Sequence, residues 1–315
     1  MRIAWLAAAL LASAGAEARI YDGGITHGEL RALMLEAGLQ AVTVEAEAPD
    51  EVPRLVVVGG PARWYAELLA CKDGRCGDLH LSAGYSLDGE PDAAAVGEFN
   101  DSLTGWMSGN IYVDDERDPI FQSDANTDGA SGNNIRYAVT AFDDAVRCVS
   151  VIVGFDDAPD ACKDFPGRLR ALQDRGLDAD DVSRVVVAVD VQRLERILRD
   201  NGFASGRGQA SGGLVPLDVE KDGVRWSIAT PENRADQVNA SLLMVTGCGR
   251  CGKDAARRAN LYNAERRWIT ARAQRDVVTG SMTLPLAGGV TEDAIGMMIR
   301  SFHSWAVNFS DDVPD

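Results

Sequence analysis

The sequence has few of the side chains on which most enzyme chemistry depends. Its three histidines, His27, His80 and His303, belong to no Cys-, Ser- or Asp-based pattern that would activate a nucleophile. The glycine-rich stretches GGPARW and SGRGQASGG lack the lysine and the spacing of a phosphate-binding loop. We therefore predict a protein that is not an enzyme and needs no cofactor.

Basic residues are also scarce, with 31 lysines and arginines against 48 acidic residues and a formal net charge of −17. So negative a surface repels phosphate backbones and anionic lipids, which argues against nucleic acid and the membrane surface as partners. The expected partner is a basic or neutral protein or peptide. The sequence gives no signal for an oligomeric state.

Long apolar runs are missing after the N terminus. The apolar stretch 3–14, preceded by Arg2, is shorter than the roughly 20 residues that a membrane-spanning helix needs. Ala16 and Ala18 then match the small residues that signal peptidase reads. We predict a signal peptide over 1–18, removed after Ala18 or alternatively after Ala16. The mature protein is expected in the periplasm or outside the cell, without membrane insertion.

The remaining chain contains a pattern that occurs twice. At an offset of about 163 residues, similar segments align in register, which indicates a tandem duplication. The aligned pairs include Arg63-Trp64 with Arg225-Trp226, LHLSAG (79–84) with LLMVTG (242–247), and Phe99-Asn100 with Tyr262-Asn263. The predicted organisation is a first domain at 19–155, a linker with a short helix at 156–188, and a second domain at 189–315.

Apolar periodicity predicts the same elements in both copies: a helix, three or four strands, a helix, two strands and a helix. In the first copy they are expected near residues 26–38, 40–47, 54–59, 62–70, 77–84, 92–105, 107–114, 118–124 and 132–146. In the second copy they are expected near 190–202, 204–210, 215–221, 223–230, 239–246, 253–266, 267–274, 277–286 and 291–306. Strands joined by hairpins with helices beside them indicate an α+β fold, with one antiparallel sheet and flanking helices per copy.

Several motifs in these segments resemble the YbjN domain family. The first copy contributes Cys71, Gly74, Cys76, Leu79, Leu81, Ala83-Gly84-Tyr85 and, further on, Phe99-Asn100. The second contributes Asn260-Leu261-Tyr262-Asn263, Arg267-Trp268 and Gly289-Val290-Thr291-Glu292 before a helix with Phe302 and Trp305. The resemblance implies a fold similar to type III secretion chaperones, whose members bind protein segments.

Each copy departs from the family pattern at one place. The first copy has 100–103 where the family carries an arginine-bearing helix, and the second has 233–238 where the cysteine hairpin would be. The motif residues Phe99, Asn100, Asn260, Tyr262, Asn263, Arg267 and Trp268 are candidates for a binding surface. In the alternative that we favour, the aromatic side chains fill the core and the asparagines satisfy strand ends.

The six cysteines predict disulfides, because an even number at short spacings in an exported protein is typical of them. Cys71 and Cys76 flank a turn between two strands, where opposed side chains come within reach of a bond. We interpret them as a hairpin clamp, against a redox switch or half of a zinc site. Cys148 and Cys162 are expected to pair by elimination.

Cys248 and Cys251 in CGRC follow an apolar strand and precede a helix. A helix N terminus stabilises a thiolate, and Arg250 would add to this effect. We interpret the pair as a structural disulfide. Thiol-disulfide chemistry in the periplasm is the alternative function, and metal binding is a third possibility.

The segment Asp124–Gly129 begins like a calcium loop, with oxygen side chains at Asp124, Asn126 and Asp128. Ile135 stands where the bidentate carboxylate would be needed. We favour an Asx-rich turn before a helix, with a weak calcium site as the alternative.

Overall fold

The computed structural model confirms an α+β fold. It describes residues 19–44, 53–58, 62–87, 89, 91–103, 107–155, 162–163, 165–175, 185–209, 214–231, 241–247 and 254–312. The predicted signal peptide at 1–18 and the pair Cys248 and Cys251 lie outside these residues. No helix within them is long and apolar enough to span a membrane.

Seven helices and twelve strands lie within the described residues. The first half comprises α1 (His27–Glu36), β1 (Gln40–Val44), β2 (Arg54–Val58), β3 (Trp64–Lys72), β4 (Arg75–Gly84), α2 (Ala93–Ser102), β5 (Ser108–Val113), β6 (Pro119–Asn126) and α3 (Gly132–Ile152). After α4 (Phe165–Arg175), the second half comprises α5 (Val191–Asp200), β7 (Ala204–Arg207), β8 (Leu214–Lys221), β9 (Val224–Pro231), β10 (Ser241–Gly247), α6 (Ala255–Glu265), β11 (Thr270–Gln274), β12 (Val277–Pro285) and α7 (Glu292–Asp312).

Each half forms one antiparallel sheet of six strands, and the two sheets have the same strand order. That order is β1-β2-β3-β4-β6-β5 in the first half and β7-β8-β9-β10-β12-β11 in the second. The fold therefore has the predicted two-repeat arrangement. Strands β1 and β7 lie at equivalent edges, as do β5 and β11.

One hairpin in each sheet uses the same type of turn, at different places in the strand order. Asp73-Gly74 connects β3 to β4, and Asp222-Gly223 connects β8 to β9. All four residues have positive φ, between 52° and 80°. Asp-Gly with both residues in the left-handed region is the two-residue turn that matches the twist of the flanking strands. The local sequence thus sets the register of both hairpins.

One face of each sheet is covered by its long helix, α3 or α7. The buried tryptophans of β3 and β9 bind these helices. Trp64 Nε1 donates to Asp143 Oδ1 at 2.9 Å, and Trp226 Nε1 donates to His303 Nδ1 at 3.4 Å. Each half therefore encloses a tryptophan whose N–H is satisfied by the helix above it.

The two halves are joined where α3 and α7 begin. The Ser131 N–H donates to the Gly289 carbonyl at 3.0 Å, and the Thr291 N–H donates to the Gly129 carbonyl at 2.9 Å. Ser131 and Thr291 also cap the two helices with their hydroxyl oxygens. The buried apolar side chains of the two halves form one continuous cluster.

Some predicted boundaries were wrong. α3 and α7 extend to Ile152 and Asp312, beyond the predicted ends at 146 and 306. β11 begins at Thr270 rather than at 267, because Trp268 has a φ of 71° and gives its N–H to a side chain of the first half. A tertiary contact therefore sets the start of β11.

Candidate functional site

A groove of about 650 Å³ crosses the open face of the second sheet. The alternation of β8 produces it, because Leu217 and Val219 are buried whereas Asp218 and Glu220 are exposed on the opposite face. Three residues of β7 also border the groove, and all three have small side chains or none. The groove has room for several side chains of an extended peptide.

Charged and polar side chains on β8 and β9 pair across the groove. The Arg225 Nε donates to Glu220 Oε2 at 2.9 Å, and the Ser227 hydroxyl donates to Asp218 Oδ1 at 3.0 Å. Two carboxylates and one guanidinium are the charged groups among the described lining residues. The groove therefore has a negative charge and favours a basic or neutral segment.

Strand β7 forms the open edge beside this groove. It pairs with β8 on one side, and all four of its residues are exposed. Arg207, at the end of β7, binds Glu195 of α5 through two contacts of 2.8 and 3.2 Å. The hydrogen bond from Arg207 holds the pKa of Glu195 below its ordinary value. The edge is thus fixed to a helix, while no strand among the described residues pairs with its outer side.

Two asparagines of the predicted motifs bind the opposite edges of the sheets. Asn100 on α2 accepts from the Ile111 N–H at 2.7 Å and donates to the Ile111 carbonyl at 3.0 Å. Asn263 on α6 makes the same two bonds with Ala271, also at 2.7 and 3.0 Å. Each amide thus binds the backbone at an edge, β5 or β11, that no further strand of the described part of the chain covers. Both asparagines therefore bind the edge of a strand, whereas the sequence analysis expected them at strand ends.

Three further motif contacts join the two halves. The Asn260 amide accepts from the Val113 N–H and donates to the Val113 carbonyl, both at 2.9 Å. The Trp268 N–H donates to Asp124 Oδ2 at 2.7 Å. Within the first half, the other carboxylate oxygen, Asp124 Oδ1, lies 2.9 Å from His80 Nδ1. The Asn260 side chain and the Trp268 backbone therefore hydrogen-bond to the first half of the chain.

The remaining motif residues divide between core and surface. Phe99 and Tyr262 are only 4% and 1% exposed and belong to the core. Arg267 is exposed and lines a cavity of about 230 Å³ together with Trp268 and Asp78. Burial raises the pKa of the Asp78 carboxyl, and the charge of Arg267 opposes this shift. Arg267 is therefore the motif side chain most accessible to a partner.

Disulfides join Cys71 to Cys76, as predicted from their place in a hairpin, and Cys148 to Cys162, as predicted by elimination. Cys71 and Cys76 are opposed in the hairpin register of β3 and β4. The second bond ties α3 to the segment that leads into α4. The predicted bond between Cys248 and Cys251, and its redox alternative, stay predictions because both residues lie outside the described part of the chain.

The candidate calcium ligands take part in other contacts. Asn126 Nδ2 donates to the Asp128 carbonyl, and Asp128 Oδ1 accepts from the Gly23 N–H at 2.7 Å. Because β6 continues through Asn126, the backbone at Asp124 does not curve around a central point as a calcium loop does. The described residues contain no group of three or more His, Cys, Asp or Glu side chains that could hold a metal ion. These contacts favour the Asx-rich turn.

The sequence analysis did not single out the groove residues or the β7 edge. The sequence did contain a signal for the groove, because polar and apolar residues alternate along both strands. The polar positions are Asp218 and Glu220 on β8 and Arg225 and Ser227 on β9. Alternation shows that a strand has a polar face, but it does not show whether a helix covers that face.

The comparisons with known proteins agree with the motif analysis of the second half. The model of the YbjN family, described as "Putative bacterial sensory transduction regulator", matches residues 190–313. Comparison with curated proteins and with solved structures gives no match. The assignment of residues 19–155 to a second copy of the same domain stays a prediction. Residues 190–313, which contain the groove and the β7 edge, are thus the part of the chain that is similar to the YbjN family.

Proposed function

We propose that this protein is an exported, non-enzymatic binding protein that holds an extended segment of a partner protein along strand β7. In this proposal, 19–155 and 189–315 are two related domains joined by 156–188. The partner's backbone pairs with the open side of β7, and its side chains enter the adjacent groove. The observation that carries the proposal is the position of an exposed edge strand directly beside a 650 Å³ groove.

Two properties of the edge favour strand addition. The small side chains of Ala204, Ser205 and Gly206 leave space for a neighbouring strand, and a Cβ built on Gly206 would meet no atom within 4 Å. The ion pair between Arg207 and Glu195 fixes the end of the strand, so less ordering is needed on binding.

Export is supported by the disulfides, because bonds such as Cys71–Cys76 and Cys148–Cys162 persist in oxidising compartments. The charge of the groove, together with the net charge of −17, favours a basic or neutral partner segment. The description of the matching family names a regulator and no reaction.

The test is selection of random peptides on the full mature protein, followed by affinity measurements with two matched variants. Gly206→Trp fills the groove and should lower the affinity for the selected peptides by at least about tenfold. Thr43→Trp places the same side chain on β1, the equivalent edge of the first sheet, and should leave affinity unchanged. Hydrogen exchange of 204–207 should slow when peptide is bound.

Three results would contradict the proposal. They are the failure to select any peptide, unchanged affinity of Gly206→Trp, and hydrogen exchange at β7 that does not respond to the peptide.

A further inference from the structure

A cleft of about 470 Å³ lies between the two halves, at the edges formed by β5 and β11. Val96, Ile111 and Val113 give it an apolar wall from the first half, and Ala259 and Ala273 give one from the second. Its volume falls within the range of about 300–1,000 Å³ that small-molecule sites occupy, and such sites are common between domains. The cleft is separate from the groove beside β7.

Arg272 brings a positive charge to this cleft. Its side chain is 21% exposed, and its Nη2 donates to the Asn100 carbonyl at 2.7 Å. Its Nε is buried and has no hydrogen-bond acceptor among the described residues. Burial lowers the pKa of the guanidinium, which shows that the surroundings disfavour the charge.

Asp101, the ion-pair partner of Arg272, is poorly placed to neutralise the charge of the guanidinium. Asp101 Oδ1 lies 3.3 Å from Arg272 Nε as an ion pair without hydrogen-bond geometry. The Asp101 side chain is 70% exposed, so water screens much of its charge. A half-buried guanidinium with an unused donor therefore lines a cleft that has apolar walls in both halves.

We propose that this cleft binds a small organic acid, with its single anionic head group at Arg272 and its apolar body between the two halves. A guanidinium forms strong, directional bonds with carboxylate and sulfonate groups. One negative charge is favoured over two, because Arg272 is the only cation among the described lining residues and the whole chain is strongly acidic. The proposal does not depend on peptide binding at β7.

The test compares two fluorescent probes of the same aromatic body on the full mature protein. 8-Anilinonaphthalene-1-sulfonate carries one negative charge, whereas N-phenyl-1-naphthylamine lacks the sulfonate. Arg272→Gln should weaken binding of the anionic probe by about tenfold or more and change that of the neutral probe by less than about twofold. Asp101→Asn removes a competing carboxylate and should strengthen binding of the anionic probe.

A second pair of variants tests the location of the site. Gly97 lines the cleft on α2, and a Cβ built there would meet no atom within 4 Å. Gly97→Leu should therefore fill the cleft, block both probes and leave the helix intact. Ala256→Leu fills the same space from α6 and serves as an independent check, with circular dichroism confirming that both variants fold.

Loss of anionic binding in Arg272→Gln together with loss of both probes in the leucine variants would support the proposal. No binding of the anionic probe to the wild-type protein would overturn it. Wild-type affinity for that probe in Arg272→Gln, or in folded Gly97→Leu and Ala256→Leu proteins, would do so as well.

Discussion

Buried polar side chains connect elements that are distant in the sequence. Asn100, Asn263 and His303 are 7%, 3% and 8% exposed, and each has a hydrogen-bond partner. A buried polar group that is satisfied in one arrangement is left unpaired in most others, at a cost in free energy. These residues therefore help to specify how the sheets and helices meet.

Asn263→Ala should lower the free energy of unfolding by about 1–3 kcal/mol, because the N–H and carbonyl of Ala271 lose their partners in a buried site. Denaturation in urea measures this change. Asn308 is an exposed control on α7, and its replacement by alanine should change stability by less than about 0.5 kcal/mol. Equal effects of the two substitutions would show that the edge contact contributes little.

Acidification below neutral pH should destabilise the protein through His303. Burial holds its folded-state pKa below the ordinary value of about 6.5; Lys221 adds to this shift and Asp222 opposes it. The unfolded chain therefore binds the proton first. The contribution of the neutral imidazole to the free energy of unfolding is complete above about pH 6.5. It is lost as the pH falls through 6.5 towards the lower folded-state pKa.

Urea unfolding at about pH 7.5 and pH 5.5 checks this expectation. His303→Gln keeps a hydrogen-bond acceptor for Trp226 and does not titrate, so it should lose less stability between the two pH values than the wild-type protein. The same loss in both proteins would exclude His303 as the source.

Among the elements, hairpins, helix caps and disulfides reinforce structure that the local sequence already favours. The two disulfides give the clearest comparison. Cys71 and Cys76 are five residues apart across a turn that Asp73-Gly74 already favours, whereas Cys148 and Cys162 are separated by 14 residues. A longer closed loop restricts the unfolded chain more.

Replacing Cys148 and Cys162 together by alanine should cost about 3 kcal/mol of stability on the chain-entropy model. The corresponding double substitution of Cys71 and Cys76 should cost less, because its loop is shorter. Guanidinium denaturation of both variants provides the measurement. A larger loss from the Cys71–Cys76 variant would show that native-state packing outweighs loop entropy.

Most elements were predictable because their signals are local. The alternation of β8 and β9, the Asp222-Gly223 turn and the glycine after α1 act within a few residues of each other. The boundary of β11 was not predictable, since Trp268 binds Asp124 about 144 positions away. The candidate site was predictable only as a polar strand face and a set of motif residues.

Across the whole molecule, the two halves pack too closely to behave as independent units. Gly288 has a φ of 75°, and a Cβ built on it would lie 2.4 Å from the backbone nitrogen of Asn134 in the other half. The side chain of Asn134 donates to the carbonyls of Pro285 and Ala287 at 3.0 and 2.7 Å. Close approach of the two backbones at this point holds the two halves together.

Gly288→Ala should therefore destabilise the protein more than Gly38→Ala. Both positions have positive φ, but a Cβ at Gly38 would meet no atom within 4 Å. Gly38→Ala should cost about 1–2 kcal/mol from backbone strain alone, and Gly288→Ala should add the cost of moving the halves apart. Calorimetry should show one unfolding transition, lowered more in Gly288→Ala. Equal shifts would contradict close packing at this contact.

The sequence by itself determined the helices and strands, the repeated order, the hairpin turns and the spacing of the cysteines, because each depends on residues close together in the chain. Only the tertiary structure decided that Asn260 binds Val113, that the β7 edge borders an open groove, and that Arg272 lines a cleft between the halves. These features depend on distances between residues far apart in the chain, and periodicity carries no information about such distances.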